Sequence, residues 1–395
     1  MCVKDRKVHT GKSDLMKDIT YDKLKEWDKD SYALIDIRDD ELVDKGIIPG
    51  AIHIFSEDLE NSTELAEIPQ EKKLVFYCQV GRKTKEIDDT LDCLAGRECY
   101  SLSEGYVGFI CSCINDQTEL EERKKKAEES IQKKFHKQLF SPFAKACKIY
   151  KLIEEGDRIA VCISGGKDSM LLAKLFQEIQ RHRHVNFELT FLVMDPGYNK
   201  ENRALIESNA KALGIPVTIF ESTIFDTVDN IEKSPCYLCA RMRRGYLYSK
   251  AKELGCNKIA LGHHYDDVIE TILMGMLHGG QIQSMMPKLR STNFEGMELI
   301  RPLYLVREAD ICAWRDYNDL HFLQCACHFT ETCSTCHEDG TTSSKRLETK
   351  KLIAELKKTN PYVESNIFRS VENIQLDTVI EYKKDGVRHN FLDEY

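Results

Sequence analysis

The sequence predicts an α/β protein with two parallel-sheet domains, on the evidence of two sets of apolar runs and a glycine turn. In the first set, Ala33–Ile37 and Lys73–Tyr77 have the continuous apolar pattern of buried parallel strands. The second set begins near residue 140, and its strands are predicted at 158–163, 187–194, 216–220 and 257–261. Helical patterns fall between these strands, which favours parallel sheets with right-handed crossovers.

A stretch that is dense in charge separates the two sets. Within residues 117–137, the run Glu119–Lys126 is typical of a solvated helix between domains, with an RNA-facing helix as the alternative. The pattern after residue 340 is helical, most clearly at Lys350–Leu356. We therefore predict a first domain, a charged helical linker, a second domain and a helical extension, bounded at 14–112, 113–140, 141–345 and 346–395.

Composition narrows the class of protein. The chain has 395 residues, which is enough for two or three domains with their own cores. It begins with a polar segment that is not a signal peptide, and no apolar run approaches membrane-spanning length, so we expect a cytoplasmic enzyme. In a reducing compartment, 16 Cys residues favour metal or sulfur chemistry over disulfides. The net charge of −9 does not suggest a nucleic-acid binder, so an RNA site has to be a local basic face.

A glycine turn, Ser164–Ser169, connects the first strand of the second set to a helical pattern. Such a turn presents free backbone N–H groups to an anion, and the helix dipole adds to the attraction. Lys167 adds a cation, and the two serines add hydroxyl groups. The Walker A pattern is excluded because Val161 stands in place of its first glycine and Asp168 in place of its Ser or Thr. The sequence therefore predicts a nucleotide phosphate loop of another kind.

This loop resembles the pyrophosphatase loop, or PP-loop, of ATP-using enzymes, whose pattern is Ser-Gly-Gly-x-Asp-Ser. The resemblance implies an adenine-nucleotide alpha-hydrolase-like domain, transfer of AMP from ATP to a substrate, and release of pyrophosphate. Mg²⁺ is expected on Asp168 or Asp267. Main chain near Asp195 is expected to face the adenine or the ribose, since ligands of parallel sheets bind at the carboxyl ends of strands. The predicted nucleotide-binding residues are Ser164, Gly165, Gly166, Lys167, Asp168, Ser169, Asp195, Gly262 and Asp267.

A second reactive site is predicted at Cys78, which follows a strand and precedes a helical pattern. Backbone N–H donors at such a turn, together with the adjacent Arg82 and Lys83, favour a thiolate nucleophile. The alternative is a small buried residue at the end of a strand.

The surrounding residues resemble a single rhodanese domain over roughly 95 residues. The resemblance is carried by Leu34–Arg38, Glu41, Gly46–His53, the Cys78 loop and Leu102–Tyr106. One departure, an isoleucine where the family usually has histidine, lies outside the loop. The resemblance implies a persulfide on Cys78 that is stabilised by loop amides and Lys83. The sulfur donor stays open, for example a cysteine desulfurase or a small-molecule persulfide.

Cysteine pairs in the second domain indicate a metal site. Cys236 and Cys239 form a Cys-x-x-Cys pair, which alone fits zinc, a redox dithiol or an Fe–S cluster. Further thiols follow at Cys325, Cys327, Cys333 and Cys336. A closed zinc site would use four ligands, whereas an Fe–S cluster with three thiolates leaves one iron open for chemistry.

Several motifs in order resemble the tRNA 2-thiocytidine synthetase family over about residues 130–325. They are the PP-loop, Cys236–Gly245, Lys258–Asp267, Met286–Leu289, Ile300–Leu303 and Arg307–Glu308. The resemblance implies a [4Fe-4S] cluster on Cys236, Cys239 and a later Cys, for which we favour Cys327, with Cys325 and Cys336 as alternatives. Surplus thiols could hold a structural zinc. Arg243, one turn after Cys239, is expected to stabilise an adenylated intermediate.

Together these residues predict an ATP-dependent sulfurtransferase that adenylates a pyrimidine carbonyl oxygen, in cytidine of tRNA, and replaces it with sulfur. A persulfide on Cys78 would supply the sulfur by way of the cluster. One alternative is a sulfurtransferase for a small molecule or another RNA position; another is a sensor of persulfide and ATP without turnover. The expected partners are tRNA and a persulfide donor but no membrane, and the oligomeric state stays open, with a homodimer as one alternative.

Overall fold

The computed structural model describes residues 16–44, 46–59, 62–86, 97–114, 117–222, 235–322 and 345–393, with backbone alone at 85–86, 114, 117–119 and 235–241. This part of the chain divides into two compact units. The first unit contains the described residues up to Lys125, together with Tyr198–Gly214 and residues 321–322. The second unit contains the other described residues.

The first unit is built on a five-stranded parallel sheet in the order β1-β5-β4-β2-β3. Its strands are β1 (Met16–Ile19), β2 (Tyr32–Asp36), β3 (Ile52–His53), β4 (Lys73–Tyr77) and β5 (Cys99–Leu102). The helices along the same stretch are α1 (Tyr21–Leu24), α2 (Asp40–Val43), α3 (Thr63–Glu67), α4 (Lys83–Glu86) and α5 (Gly105–Ile114). Leu74 to Tyr77 of the central strand β4 are fully buried, because apolar side chains cover both faces of the sheet. The two strands predicted here are thus confirmed.

The second unit contains a six-stranded sheet in the order β10-β11-β9-β6-β7-β8. Its strands are β6 (Arg158–Ile163), β7 (Glu188–Asp195), β8 (Val217–Glu221), β9 (Lys258–Ala260), β10 (Lys288–Arg290) and β11 (Glu298–Ile300). All neighbours pair in parallel except the edge strand β10, which is antiparallel to β11. The four strands predicted for this domain are confirmed to within two residues.

The helices after α5 continue along the chain. They are α6 (Gln117–Gln132), α7 (Ser141–Ile149), α8 (Lys167–Arg181), α9 (Lys200–Ala212), α10 (Pro235–Glu253), α11 (Tyr265–Gly279), α12 (Glu308–Tyr317), α13 (Lys345–Thr359) and α14 (Val363–Ser370). A final hairpin pairs β12 (Glu381–Lys384) with β13 (Val387–Asn390). Within the described part of the chain, no helix has the length and apolar character needed to cross a membrane.

The order of strands in the second sheet contains a switch point. From the central strand β6 the chain moves to β7 and β8 on one side, and then to β9 and β11 on the other. Val161 lies opposite Ala260, so the carboxyl ends of β6 and β9 are adjacent. Ligands of open parallel sheets bind at such a point.

The charged helix α6 is less solvated than the sequence predicts. Ala127 and Ile131 are buried, and the Ser130 hydroxyl accepts hydrogen bonds from Trp314 Nε1 and Asn318 Nδ2, both at 3.1 Å. The expectation of a solvated helix was therefore wrong for this face, because the charged residues around Ala127, Ser130 and Ile131 dominate the local sequence pattern.

A buried lysine stabilises the start of β9. Lys258 is 2% exposed, and its ammonium group lies 2.7 Å from Asp157 Oδ2 and 3.0 Å from Glu154 Oε2. It also donates to the Leu152 carbonyl oxygen at 3.3 Å. Such a buried cation is costly to remove once its carboxylate partner is also buried.

We expect Lys258→Met to lower the free energy of unfolding of the second unit by about 3–5 kcal/mol, since Asp157 would keep a buried charge without its cation. The control is Lys288→Met, which removes a half-buried partner of Glu154 and should cost about 1 kcal/mol or less. Urea unfolding followed by Trp314 fluorescence, in a Trp27→Phe background, measures both. Equal losses for the two variants would contradict this assignment.

Candidate active site

The phosphate loop lies at the switch point, between β6 and the start of α8. Ser164 N donates to Ser169 Oγ at 3.2 Å, and Ser169 Oγ donates to the Gly166 carbonyl oxygen at 2.9 Å. These bonds fold the loop over the first turn of α8. Gly166, which has no side chain, is the N-cap residue, so the first N–H groups of α8 stay available to an anion.

The end of β9 lies against this loop because residue 262 is glycine. A Cβ atom at Gly262 would lie 3.2 Å from the backbone carbonyl carbon of Asp168 and 3.2 Å from the amide nitrogen of Ser169. These are backbone atoms of α8, which cannot move without the loop. The predicted importance of Gly262 therefore has a steric basis.

Lys167 and Asp168 form the charged part of the loop. Lys167 Nζ lies 3.3 Å from Asp168 Oδ2 and 3.2 Å from Glu308 Oε1. Burial would lower the pKa of Lys167, but the two carboxylates raise it above its ordinary value. Burial raises the pKa of Asp168, and the charge of Lys167 only partly opposes this. The second oxygen, Asp168 Oδ1, is buried and has no hydrogen-bond partner among the described residues.

His264 orients the carboxylate of Asp267. It is the N-cap residue of α11: its Nδ1 accepts from Asp267 N at 3.3 Å, and its own amide donates to Asp267 Oδ2 at 3.0 Å. His264 Nε2 also lies 3.9 Å from Asp168 Oδ1. The neighbouring His263 is different, since burial lowers its pKa to about 4 and keeps it neutral.

The donor set fits Mg²⁺, which prefers one or two carboxylates together with phosphate oxygens. Asp168 offers a buried oxygen without a partner, and the Asp267 carboxylate is close enough to raise its pKa further. No cluster of three or more His, Cys, Asp or Glu side chains suited to a metal occurs in the described ranges. A metal here would thus depend on the nucleotide for its other ligands.

Sequence reasoning did not assign three charged residues to this site: Arg346, Lys350 and Glu308, although Glu308 was noted as part of a family motif. Glu308 Oε2 lies 2.5 Å from Lys350 Nζ, and Arg346 Nη1 lies 2.6 Å from Asp267 Oδ1. Burial would raise the pKa of Glu308, but the hydrogen bond from Lys350 and the charge of Lys167 lower it to about 2. The run of basic residues in α13 was the available signal.

Asp195 ends β7 and is buried. Its Oδ1 accepts a hydrogen bond from Gly197 N at 2.9 Å, which fixes the turn after the strand. Its expected place near the adenine or the ribose stays a prediction.

The Cys78 loop in the first unit follows β4. Cys78 is buried, and its sulfur accepts a hydrogen bond from Gly81 N at 3.1 Å. Gly81 has a φ of +80°, and a Cβ there would lie 2.1 Å from the Ser103 carbonyl oxygen, so only glycine fits this turn. The loop thus holds a thiol against a backbone N–H donor.

A buried arginine, Arg38, holds the Cys78 loop in place through hydrogen bonds. Arg38 Nη2 donates to Asp36 Oδ2 at 2.6 Å and to the Gly46 carbonyl oxygen at 2.7 Å, and Arg38 Nη1 donates to Gln79 Oε1 at 3.2 Å. Its guanidinium carbon lies 3.9 Å from the centre of the Tyr106 ring. The Asp-x-Arg pattern therefore positions the residue next to Cys78.

Lys83 is half-exposed and forms an ion pair with Asp39 at 3.3 Å. A cleft of about 420 Å³ opens beside the loop within the first unit, lined by Val80, Gly81, Arg82, Ser103 and Tyr198–Glu201. The stabilising role of Lys83 toward a persulfide stays a prediction.

The predicted metal ligands are only partly covered. Cys236 and Cys239 lie in the first turns of α10, and Arg243 follows on the same helix. Cys325, Cys327, Cys333 and Cys336 lie outside the described residues. All of these assignments stay predictions.

Two family models match the chain. The model described as a PP-loop domain matches residues 128–327, about half of the chain, and the model described as a rhodanese-like domain matches residues 20–110. The first match defines the class, a PP-loop enzyme that carries a rhodanese-like domain.

Relatives narrow this class. A tRNA-cytidine(32) 2-sulfurtransferase of Syntrophotalea carbinolica is 36% identical over 235 residues, which are 58% of this chain and 86% of the relative. Its counterpart in Geobacter sulfurreducens is 35% identical, over 61% of this chain and 91% of the relative. Among solved structures, the U34-tRNA thiolase NcsA from Methanococcus maripaludis with its [4Fe-4S] cluster has a TM-score of 0.46 and 22% identity, over 60% of this chain and 79% of that one. The chain belongs to the tRNA-cytidine(32) 2-sulfurtransferase family of PP-loop enzymes.

Proposed function

We propose that the protein uses ATP to replace the 2-oxygen of a cytidine in tRNA with sulfur. The observation that carries the proposal is the phosphate loop at the switch point, with its open helix N-terminus, its cation Lys167 and a buried carboxylate oxygen of Asp168 without a partner. The names of the relatives supply the substrate.

Activation of the oxygen explains the need for ATP. Oxide is a poor leaving group, so the carbonyl oxygen first attacks the α-phosphorus of ATP, and pyrophosphate departs. The N–H groups of α8 and Lys167 stabilise the charge on the departing pyrophosphate. Asp168 and Asp267 would hold Mg²⁺, which supplies further positive charge at the phosphates. The outer sulfur of the persulfide then attacks the carbon, and the adenylated oxygen leaves as AMP. An external dithiol cleaves the remaining S–S bond and is oxidised to its disulfide, which supplies the two electrons that the thiocarbonyl product requires.

Cys78 supplies the sulfur in this proposal. Its thiolate attacks the outer sulfur of a donor persulfide, from a cysteine desulfurase or a small molecule, and the donor thiolate leaves. The Gly81 amide, which already donates to the Cys78 sulfur, is positioned to stabilise negative charge on a persulfide. The geometry that Arg38 imposes on Gln79 keeps this amide in place.

Cys236 and Cys239 fit a [4Fe-4S] cluster, with Cys327 as the favoured third ligand and Cys325 and Cys336 as alternatives. The two residues are three positions apart within α10, which is the spacing of a Cys-x-x-Cys metal motif. When bound through three thiolates, such a cluster offers one iron to a sulfur atom. Arg243 lies four residues after Cys239 on the same helix, a place suited to stabilising the adenylated intermediate.

A second candidate is a sulfurtransferase for a small molecule or for another RNA position. The net charge of −9 favours the small-molecule substrate, since RNA-binding proteins are usually basic.

Cells that lack the protein should lose 2-thiocytidine from their tRNA, measured by mass spectrometry of tRNA nucleosides. The wild-type gene should restore it, whereas Lys167→Ala should lower the restored rate on the order of a hundredfold, because the leaving pyrophosphate loses a cation. The control is Lys351→Gln, which also removes one positive charge but at an exposed position. Unchanged 2-thiocytidine in the deletion strain would contradict the tRNA substrate and favour the second candidate.

Cys78→Ala should abolish the mass increase of one sulfur atom after incubation with a persulfide donor, and with it persulfide-driven thiolation. Binding of ATP should persist, since the phosphate loop is unchanged. Cys111→Ala, which removes a partly buried thiol of the same unit, should behave as wild type. Sulfur incorporation by Cys78→Ala at the wild-type rate from every donor would refute the role of this thiol.

Protein purified without oxygen should contain about four iron and four sulfide ions per chain, and Cys236→Ser should lose most of both. Cys312→Ser, a partly buried thiol of the second unit, is the control. Iron and sulfide analysis with an absorption spectrum measures this. Zinc alone in the anaerobic protein would contradict the cluster.

A further inference from the structure

We propose that α13 completes the nucleotide site and that Arg346 and Lys350 bind the phosphates of ATP. This inference rests on the proposed use of ATP at the phosphate loop. Helix α13 lies beyond residue 327, where the PP-loop match ends. It thus adds cations that the phosphate loop itself does not contain.

The first line of support is shared carboxylate partners. The ammonium groups of Lys167 and Lys350 lie on the two oxygens of one carboxylate, Glu308, at 3.2 and 2.5 Å. Arg346 binds Asp267, the carboxylate that His264 orients beside the loop. A single carboxylate, Glu308 or Asp267, therefore lies between each cation of α13 and the predicted phosphate position.

The second line of support is their arrangement on the helix. Arg346 and Lys350 are four residues apart, so they lie on the same face, one turn from each other. Thr349 and Ile353 are buried beside them, and this fixes the rotation of the helix. The two cations keep 43% and 53% side-chain exposure, so a ligand in solution can reach them.

The helix is held in place independently of these two ion pairs. The next helix, α14, stacks Phe368 on Tyr265 with ring centres 4.5 Å apart. Glu364 of α14 accepts hydrogen bonds from Arg307 at 2.6 and 3.1 Å and pairs with Lys357 of α13 at 2.8 Å. Arg346 and Lys350 can thus exchange a carboxylate for a phosphate while α13 stays in place.

Charge balance explains why the site needs them. Five carboxylates lie in and around the site, on Asp168, Asp266, Asp267, Glu270 and Glu308. Lys167 is the cation that the loop provides, and Arg307 is a further cation that pairs with Asp266. A triphosphate adds further negative charge, which nearby cations must balance. Arg346 and Lys350 supply two, in addition to the expected Mg²⁺.

The test measures binding by the full-length protein rather than turnover. Titration calorimetry would give the Kd of the Mg²⁺ complex of α,β-methylene ATP, which cannot be cleaved at the α-phosphorus, and the Kd of adenosine. We expect Arg346→Gln and Lys350→Gln each to weaken the triphosphate analogue about tenfold or more, with adenosine affinity unchanged, because a charge-assisted hydrogen bond is lost. Lys351→Gln removes a neighbouring exposed charge and should leave both Kd values unchanged.

Three other outcomes of these titrations would overturn the inference. Wild-type affinity for the triphosphate analogue in both variants excludes phosphate contacts. If affinity for adenosine and for the analogue falls equally, the two residues stabilise the folded site and do not contact the phosphates. In that case Lys350→Arg, which keeps the charge, should have the same thermal unfolding temperature as the wild type. A wild-type protein that binds no triphosphate analogue overturns the proposed use of ATP as well, whereas failure in the variants alone leaves that proposal intact.

Discussion

The parallel pairing of β6 with β9 is the constraint on which the nucleotide site depends. These strands are parallel neighbours, and the chain continues from β6 toward β7 on one side and from β9 toward β11 on the other, so the turns that follow the two strands lie side by side at the same edge of the sheet. The first turn brings the phosphate loop and the second brings Gly262 and the start of α11. Because Gly262 has no side chain, the two turns come into direct contact. A single backbone pairing thus places Asp168 and Asp267 together, although they are 99 positions apart in the chain.

Charge is the second organising element. The site contains more carboxylates than the phosphate loop has cations, and partial burial makes each uncompensated charge costly. The structure lowers this cost by giving single carboxylates two partners each. Glu308 binds two ammonium groups, and Asp267 binds both a backbone amide and a guanidinium group. Asp168 Oδ1 is the exception among the described atoms of this loop, since it has no hydrogen-bond partner, and this is the position at which we propose Mg²⁺.

Much of the fold was predictable because both faces of a parallel sheet are covered, which produces apolar runs that a reader of the sequence can see. The phosphate loop and the Cys78 loop were also predictable, since their chemistry is contained in six or seven consecutive residues. The Glu308 cluster was not, because its partners Lys167 and Lys350 lie 141 and 42 residues away. The buried face of α6 was missed for a related reason: Ser130 and its partner Trp314 are 184 residues apart, and the charged residues around Ser130 dominate the local pattern.

Arg38 has a consequence for the energetics of the sulfur loading that we propose at Cys78. Its guanidinium group is 2% exposed, and its hydrogen bonds reach the sheet, the chain at Gly46 and the side chain next to Cys78. The loop therefore has its shape without a ligand, and the Gly81 dipole would not have to rotate if Cys78 carries the proposed persulfide. The reorganisation energy of that proposed loading step would then be small, because the stabilising dipole is already oriented.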